Sequence, residues 1–88
     1  MCRNIKTLFN FDPPATTEEV QAASLQFVRK LSGFNHPSRV NQAAFVLAIE
    51  RVSAVAQELL GTLVTTAEPR DREVEAAKAK ARAAERFA

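Results

Sequence analysis

The chain has 88 residues, of which 47% are hydrophobic and 25% are charged, and its formal net charge is +2. This length allows one domain with a single modest hydrophobic core, and it is too short for most enzyme scaffolds. The composition is that of an ordinary folded protein and excludes the disordered and fibrous classes. A pI near 9.1 permits attraction to polyanions, but a net charge this small decides little about partners.

Three features of the sequence indicate a compartment. The longest unbroken apolar run, Ala43 to Ile49, is far shorter than the roughly 18 residues that a membrane span requires. Lys6 and Asn10 interrupt the apolar N-terminal residues that a signal peptide would keep continuous. The single cysteine, Cys2, cannot form an intrachain disulfide, which agrees with a reducing compartment. We therefore expect a cytoplasmic protein without a membrane partner.

Residues 1–15 are predicted to form an N-terminal arm that ends in extended backbone, because Pro13 and Pro14 lock φ and restrict the residues before them. The following Thr-Thr-Glu-Glu fits a capping box, in which the Thr16 side chain accepts a hydrogen bond from the Glu19 N–H. The sequence thus predicts helix 1 over residues 16–32, with a left-handed stop at Gly33. The predicted core face of this helix consists of Val20, Ala23, Ser24, Phe27 and Leu31.

The second and longest helix is predicted over residues 38–64, with Ser38 as its N-cap. Gly61 leaves its end open, because glycine costs about 1 kcal/mol inside a helix relative to alanine but is favourable just past a C-terminus. Apolar residues off the face that helix 1 can cover indicate a partner surface, formed by Val40, Leu47 and Val55. The predicted core face consists of Phe45, Ile49, Val52, Ala56, Leu59 and Leu63.

A third helix is predicted over residues 69–87, since Pro69 suits a first helical turn and acidic residues follow it at the positive end of the dipole. Its apolar stripe is Val74 with four alanines, which bury too little area for strong docking. The expected architecture is all-α: one domain over residues 1–88, folded as a three-helix up-down bundle with the N-terminal arm packed on the first two helices.

Four segments of the chain are similar to one family when taken together: Met1 to Lys6, residues 12–16, Leu25 to Lys30 with Gly33-Phe34, and Pro69 to Val74. On these segments the chain resembles the domain-of-unknown-function family 2277, which consists of short bacterial-type proteins with no assigned reaction. The resemblance runs nearly from end to end. It implies a family but supplies no activity and no site residues, so function has to be argued from the residues themselves.

Cys2 is the sharpest candidate for chemistry. Removal of Met1 would leave a free amine and a thiol on one residue, the pairing that N-terminal nucleophiles use, and Arg3 and Lys6 nearby would favour the thiolate. The alternative is that Cys2 is a small buried hydrophobic residue. No general base, oxyanion donor or glycine-rich loop accompanies it in the sequence, so a binding role is favoured over catalysis.

His36 is the only histidine, and it precedes Pro37 in a predicted loop. Acid–base catalysis or metal binding is chemically feasible there, but an exposed turn residue is the commoner role. Cys2 and His36 supply two ligands where a structural zinc needs four, so we expect no metal. With only Gly33 and Gly61 available, phosphate-cradling loops are absent from the sequence, and we expect neither a nucleotide cofactor nor any other cofactor.

Basic residues form another candidate site, for a polyanion. Lys78, Arg82 and Arg86 lie four residues apart on one face of the predicted third helix. Arg3 and Lys6 belong to a second basic group, which would form if the arm folds over helix 1. Neutralising several phosphates in this way would give salt-sensitive nucleic-acid binding. A solvated helix face that follows the dipole preference is the simpler interpretation.

The leading hypothesis is therefore a non-enzymatic helical interaction module, which binds a protein partner or a second copy of itself. One alternative is a basic protein associated with nucleic acid or a ribonucleoprotein. Another is a thiol-dependent enzyme or redox sensor that uses Cys2. A small bundle that only stabilises a larger complex cannot be distinguished from the first hypothesis by sequence.

Overall fold

The structure, a computed structural model, describes the backbone of residues 5–87 and the side chains of residues 5–85. Three helices of 16, 21 and 16 residues dominate it, so the expected all-α fold is confirmed. The elements in chain order are β1 (Phe11–Asp12), α1 (Thr17–Ser32), a 3-10 turn (Arg39–Asn41), α2 (Gln42–Thr62), β2 (Arg70–Asp71) and α3 (Arg72–Phe87).

Both ends of α1 follow the local chemistry that the sequence predicts. The Thr16 side-chain oxygen accepts a hydrogen bond from the Glu19 N–H at 3.2 Å, and Glu19 Oε1 accepts one from the Thr16 N–H at 2.9 Å. At the other end, Gly33 has a φ of 79°, and its N–H donates to the Arg29 carbonyl oxygen at 2.8 Å. The capping box and the left-handed glycine therefore fix the length of this helix.

The hydrophobic core of the described residues lies between α1 and α2. The buried residues of α1 are spaced by four: Val20, Ser24 and Val28. The Ser24 hydroxyl donates to the Val20 carbonyl oxygen at 2.8 Å, so its burial leaves no unpaired polar group. Phe27 and Leu31, which the spacing assigned to this face, are 44% and 75% exposed. The predicted burial of these two side chains is therefore wrong, and the buried positions of α1 are the three at four-residue steps from Val20 to Val28.

The second helix begins and ends inside its predicted range. The 3-10 turn precedes it, so the regular α-helix starts at Gln42, and it ends at Thr62, one residue after Gly61. The backbone of Ser38 is extended, as is usual for an N-cap residue, but its side chain makes no capping hydrogen bond to a backbone N–H. The Ser38 Oγ instead accepts a hydrogen bond from Asn41 Nδ2 at 2.9 Å.

The inner face of α2 is covered only as far as α1 extends. Phe45 and Ser53 are buried on it, whereas Leu59 and Leu63 of the predicted face are 54% and 43% exposed. Gln57 explains the difference, because its side chain donates to the hydroxyl oxygen of the first residue of α1 at 3.3 Å. The part of α2 that follows Gln57 therefore projects past the start of α1.

The third helix begins at Arg72, three residues after its predicted start at Pro69. The intervening residues belong to β2, which pairs in parallel with β1 and is therefore extended. Asp71 ends this strand, and its Oδ1 accepts hydrogen bonds from the N–H groups of Glu73 at 2.8 Å and Val74 at 3.0 Å. A carboxylate in that position satisfies helix N–H groups that would otherwise lack a partner.

The described part of the arm reaches α3 through the short parallel sheet, and the Asp12–Pro13 peptide bond after β1 is cis. Within residues 5–87, no extensive helix–helix packing joins α3 to α1 or α2. This agrees with the small area of its alanine stripe. The radius of gyration is 15.4 Å, against about 12 Å for a compact domain of this length. Much of the helical surface is therefore left uncovered.

Candidate functional site

Asn10 holds the arm beside β2. Its backbone has a φ of 65°, a left-handed conformation that asparagine tolerates better than most residues. The Asn10 carbonyl oxygen accepts a hydrogen bond from the Arg70 N–H at 2.7 Å. The Asn10 side-chain amide donates to the carbonyl oxygens of Glu68 at 3.1 Å and Ala67 at 3.4 Å. These bonds join the first and last thirds of the chain.

Arg72 connects the start of α3 to the arm and to the start of α1. Its Nε donates to the Pro13 carbonyl oxygen at 2.6 Å, and its Nη2 donates to the Pro14 carbonyl oxygen at 3.1 Å. Its two terminal nitrogens also bind both carboxylate oxygens of Glu19, at 2.7 and 3.1 Å. A planar guanidinium suits this bidentate geometry, whereas a lysine could not reproduce it.

The Glu19 carboxylate serves two contacts at once, the Arg72 ion pair and the capping box of α1. The Arg72 hydrogen bond, followed by the backbone hydrogen bond from Thr16, lowers the pKa of Glu19 from 4.5 to about 2. The same pair raises the pKa of Arg72. Glu19 is therefore ionised throughout the physiological range, and its charge is matched within the structure.

Phe11 lies beside two guanidinium groups. The central carbons of Arg70 and Arg72 are each 5.8 Å from the centroid of its ring. These distances are within the range of cation–π attraction. The ring thus contributes to the position of Arg70, which forms no ion pair among the side chains of residues 5–85.

A cleft of about 550 Å³ lies between the arm and α3, next to the Arg72–Glu19 pair. We call it the arm–α3 cleft; the residues that define it here are Lys6, Leu8 and Phe11 of the arm and Arg70, Ala79 and Arg82 of the opposite wall. In the part of the chain with described side chains, Lys6 and Arg82 also form no ion pair. The lining also includes Arg72, Glu19 and Glu75, so basic side chains outnumber acidic ones by four to two. This excess of positive charge favours an anion over a cation.

The structure brings together only part of the predicted polyanion site. Lys6 and Arg82, which the sequence assigned to separate basic groups, line the same cleft. Arg70 joins them, and sequence reasoning missed it because nothing marks it before β1 and β2 are known to pair. Lys78 is exposed, and its Nζ lies 3.7 Å from Glu75 Oε1 on the same helix.

Several other predicted residues are placed differently or are not described. Cys2, Arg3 and the Arg86 side chain lie outside the described residues, so their predicted roles stay predictions. His36 is exposed in the connection between α1 and α2. Among the residues that the structure describes, no three His, Cys, Asp or Glu side chains cluster as metal ligands would. None of the described helices is long and apolar enough to cross a membrane.

The face of α2 opposite α1 is a second candidate surface. Leu47 and Val55 are 43% and 67% exposed on the side of α2 that α1 leaves uncovered, and Val40, in the 3-10 turn before α2, is 89% exposed. We call the uncovered side of the helix the outer face of α2; its residues are Ala44, Leu47, Arg51, Ala54, Val55 and Glu58, all of which are exposed. It carries two opposite charges in an otherwise small or apolar surface.

These features define a small all-α protein in which a helical hairpin meets an arm–helix unit at one arginine–glutamate pair. The chain belongs to the family described as "Uncharacterized conserved protein (DUF2277)", whose profile matches residues 1–78. The match covers all four segments on which the resemblance rests, so the family expected from the sequence is confirmed. No curated protein and no solved structure is significantly similar to the chain.

Proposed function

We propose that this protein is a non-enzymatic helical interaction module, which binds a protein partner or a second copy through the outer face of α2. The exposure of Leu47 and Val55 carries the proposal. A helix that is apolar on most of its circumference is typically covered on all sides, and here only one side is covered. Apolar surface left exposed on such a helix marks an interaction site.

The test introduces a charge into this surface. Tagged protein is purified from its own cells, bound chains are identified by mass spectrometry, and the mass of the purified chain is measured by light scattering. We expect the wild type to retain a partner or its own copy, and Val55→Glu to lose it. The control is Gln21→Glu, which adds the same charge at an exposed position of α1. Two results together contradict the proposal: the wild type is a monomer at all concentrations, and no protein that binds it is lost in Val55→Glu.

A second candidate function is binding of a nucleic acid, and the arm–α3 cleft favours it. Lys6, Arg70 and Arg82 line one cleft without ion-pair partners among the described side chains. The chain contains neither Trp nor Tyr, and Phe11 already lies beside two guanidinium groups. Contacts to phosphates would therefore outweigh base stacking, and binding would weaken steeply as salt rises.

Fluorescence anisotropy with a single-stranded RNA oligonucleotide tests this candidate. The triple variant Lys6→Glu/Arg70→Glu/Arg82→Glu is compared with Lys30→Glu/Arg39→Glu/Lys80→Glu, which has the same net charge and leaves the cleft intact. We expect only the first variant to lose binding. For a single strand, each phosphate contact contributes about 0.7 to the salt slope. No binding at low salt, or equal loss in both variants, removes the candidate.

We extend the proposal to the location of the protein and to the thiol of Cys2. The cytoplasm is the proposed location, supported by a cysteine usage that suits a reducing compartment. A thiol-dependent function of Cys2 is the alternative. It requires that iodoacetamide alkylates the Cys2 thiol faster than the thiol of a model peptide. An equal or slower rate removes this alternative, because a reactive cysteine requires an enriched thiolate.

A further inference from the structure

The residues of the outer face of α2 follow the spacing of a helix-pairing seam. Ala44, Leu47, Arg51, Ala54 and Glu58 are separated by alternating steps of three and four, and all are exposed. At 100° per residue they lie on the side of α2 opposite Phe45, which is buried against α1. Steps of three and four are those by which one helix presents a continuous line of side chains to another.

The face carries one basic and one acidic residue, Arg51 and Glu58. Arg51 and Glu58 are seven residues apart, so they lie on the same side of the helix and roughly 10 Å apart along its axis. Neither forms an ion pair within the described part of its own chain. The midpoint between them falls between Ala54 and Val55. A surface with opposite charges at equal distances from a centre is complementary to its own copy after a two-fold rotation.

We propose that the occupant of this face is a second copy of the chain, paired antiparallel with a two-fold axis that passes between Ala54 and Val55. In this pairing Arg51 of each copy lies opposite Glu58 of the other, so two ion pairs form. A parallel pairing would place Arg51 opposite Arg51, which is repulsive. The inference rests on the proposed function and identifies the partner in it.

The uncharged residues of the face suit the same pairing. Ala54 is small enough to let the two helices approach closely beside the axis, and Leu47 and Val55 supply apolar area next to it. Two helical hairpins joined in this way would form a four-helix arrangement, in which α2 is covered on both sides. With this axis, residues 47–62 of the two α2 helices lie side by side over about 24 Å, so the interface falls at the low end of the specific size range. We therefore expect a dimer that dissociates on dilution.

Sedimentation equilibrium over a wide range of chain concentrations tests the proposal. Four chains are compared: the wild type, Arg51→Glu, Arg51→Glu/Glu58→Arg and the control Lys80→Glu. The control makes the same change of net charge at an exposed position of α3. We expect the wild type to dimerise, Arg51→Glu to raise the dissociation constant about tenfold or more, and the double variant to restore it. The control should dimerise as the wild type does.

The outcomes separate this proposal from the one on which it rests. A wild type that stays monomeric excludes the second copy but leaves a different protein as the partner, and the Val55→Glu purification decides that question. A dimer that Arg51→Glu does not weaken, or that the double variant fails to restore, excludes the antiparallel pairing. Circular dichroism of each variant, compared with that of the wild type, shows whether a variant that no longer dimerises is still folded.

Discussion

At the scale of single residues, the contacts of Arg72 hold the arm, the start of α1 and the start of α3 together. Four hydrogen bonds from one guanidinium reach three residues of the arm and of α1. The two side chains of the Arg72–Glu19 pair are about one third exposed, at 32% and 35%. Its contribution to stability is therefore reduced by solvent and by salt, and its main effect is to fix geometry.

The depressed pKa of Glu19 predicts a pH dependence. Because the folded pKa of about 2 lies below the ordinary value of 4.5, the contribution of Glu19 to stability is complete above pH 4.5 and is lost as the pH falls through 2. Carboxyl chemical shifts measured by NMR give the pKa directly. In Arg72→Gln the pKa should rise toward 4.5, whereas Thr16→Ala should change it less, since the Thr16 N–H remains. A Glu19 that titrates near 4.5 in the wild type contradicts the assignment.

Ser53 is the second residue whose environment gives a prediction. It is 8% exposed on the inner face of α2, and its hydroxyl has no hydrogen-bond partner in the described structure. Replacing it by alanine removes a buried polar group that lacks a partner, so Ser53→Ala should stabilise the protein by roughly 1 kcal/mol. Urea denaturation measures the change. Ser24→Ala is the matched control and should gain less, because the Ser24 hydroxyl is already bonded to the Val20 carbonyl oxygen.

At the scale of the elements, both ends of α1 are decided locally, whereas the start of α3 is not. Thr16 and Glu19 start α1, Gly33 ends it, and Asp71 starts α3. The sequence indicates the ends of α1 correctly because capping depends on side chains within three or four positions. It misses the start of α3, because whether Arg70 is helical or extended depends on its pairing with Phe11.

The two glycines give a matched test at this scale. A Cβ at either position would meet no atom within 4 Å, so the two substitutions by alanine differ only in backbone conformation. Gly33 has a left-handed backbone, and Gly33→Ala should destabilise the protein by roughly 1–2 kcal/mol. Gly61 lies inside α2, and Gly61→Ala should stabilise it by roughly 0.5–1 kcal/mol. Urea denaturation, at a chain concentration too low for dimerisation, measures both changes in the free energy of unfolding. Changes of the same sign would contradict the argument.

At the scale of the whole molecule, the chain consists of two parts that differ in how they are held. The hairpin of α1 and α2 has a hydrophobic core. The arm and α3 are joined instead by the short β1–β2 sheet and by the hydrogen bonds of Asn10 and Arg72. Polar contacts that are partly exposed open more readily than a packed core does. The two parts should therefore differ in local stability.

Hydrogen exchange tests this difference. The backbone amides of α3 should exchange faster than those of α2 that flank Phe45 and Ser53, because the latter are protected by the core. Arg72→Ala should accelerate exchange in β2 and the first turn of α3 and leave α2 unchanged. Arg82→Ala, a change on the same helix away from Glu19, should have little effect. Uniform protection of α2 and α3 would show that the two parts open together.

The sequence by itself determined the family, the helical class, the ends of α1 and the excess of apolar residues on α2, because each follows from neighbouring residues or from spacing along one helix. The tertiary structure decided what depends on residues far apart in the chain: the β1–β2 pairing, the contacts of Arg72 and the meeting of Lys6 with Arg82 and Arg70. It also decided that Phe27 and Leu31 are exposed. Spacing shows that a helix has an apolar face, but only the partner helix determines how much of that face is covered.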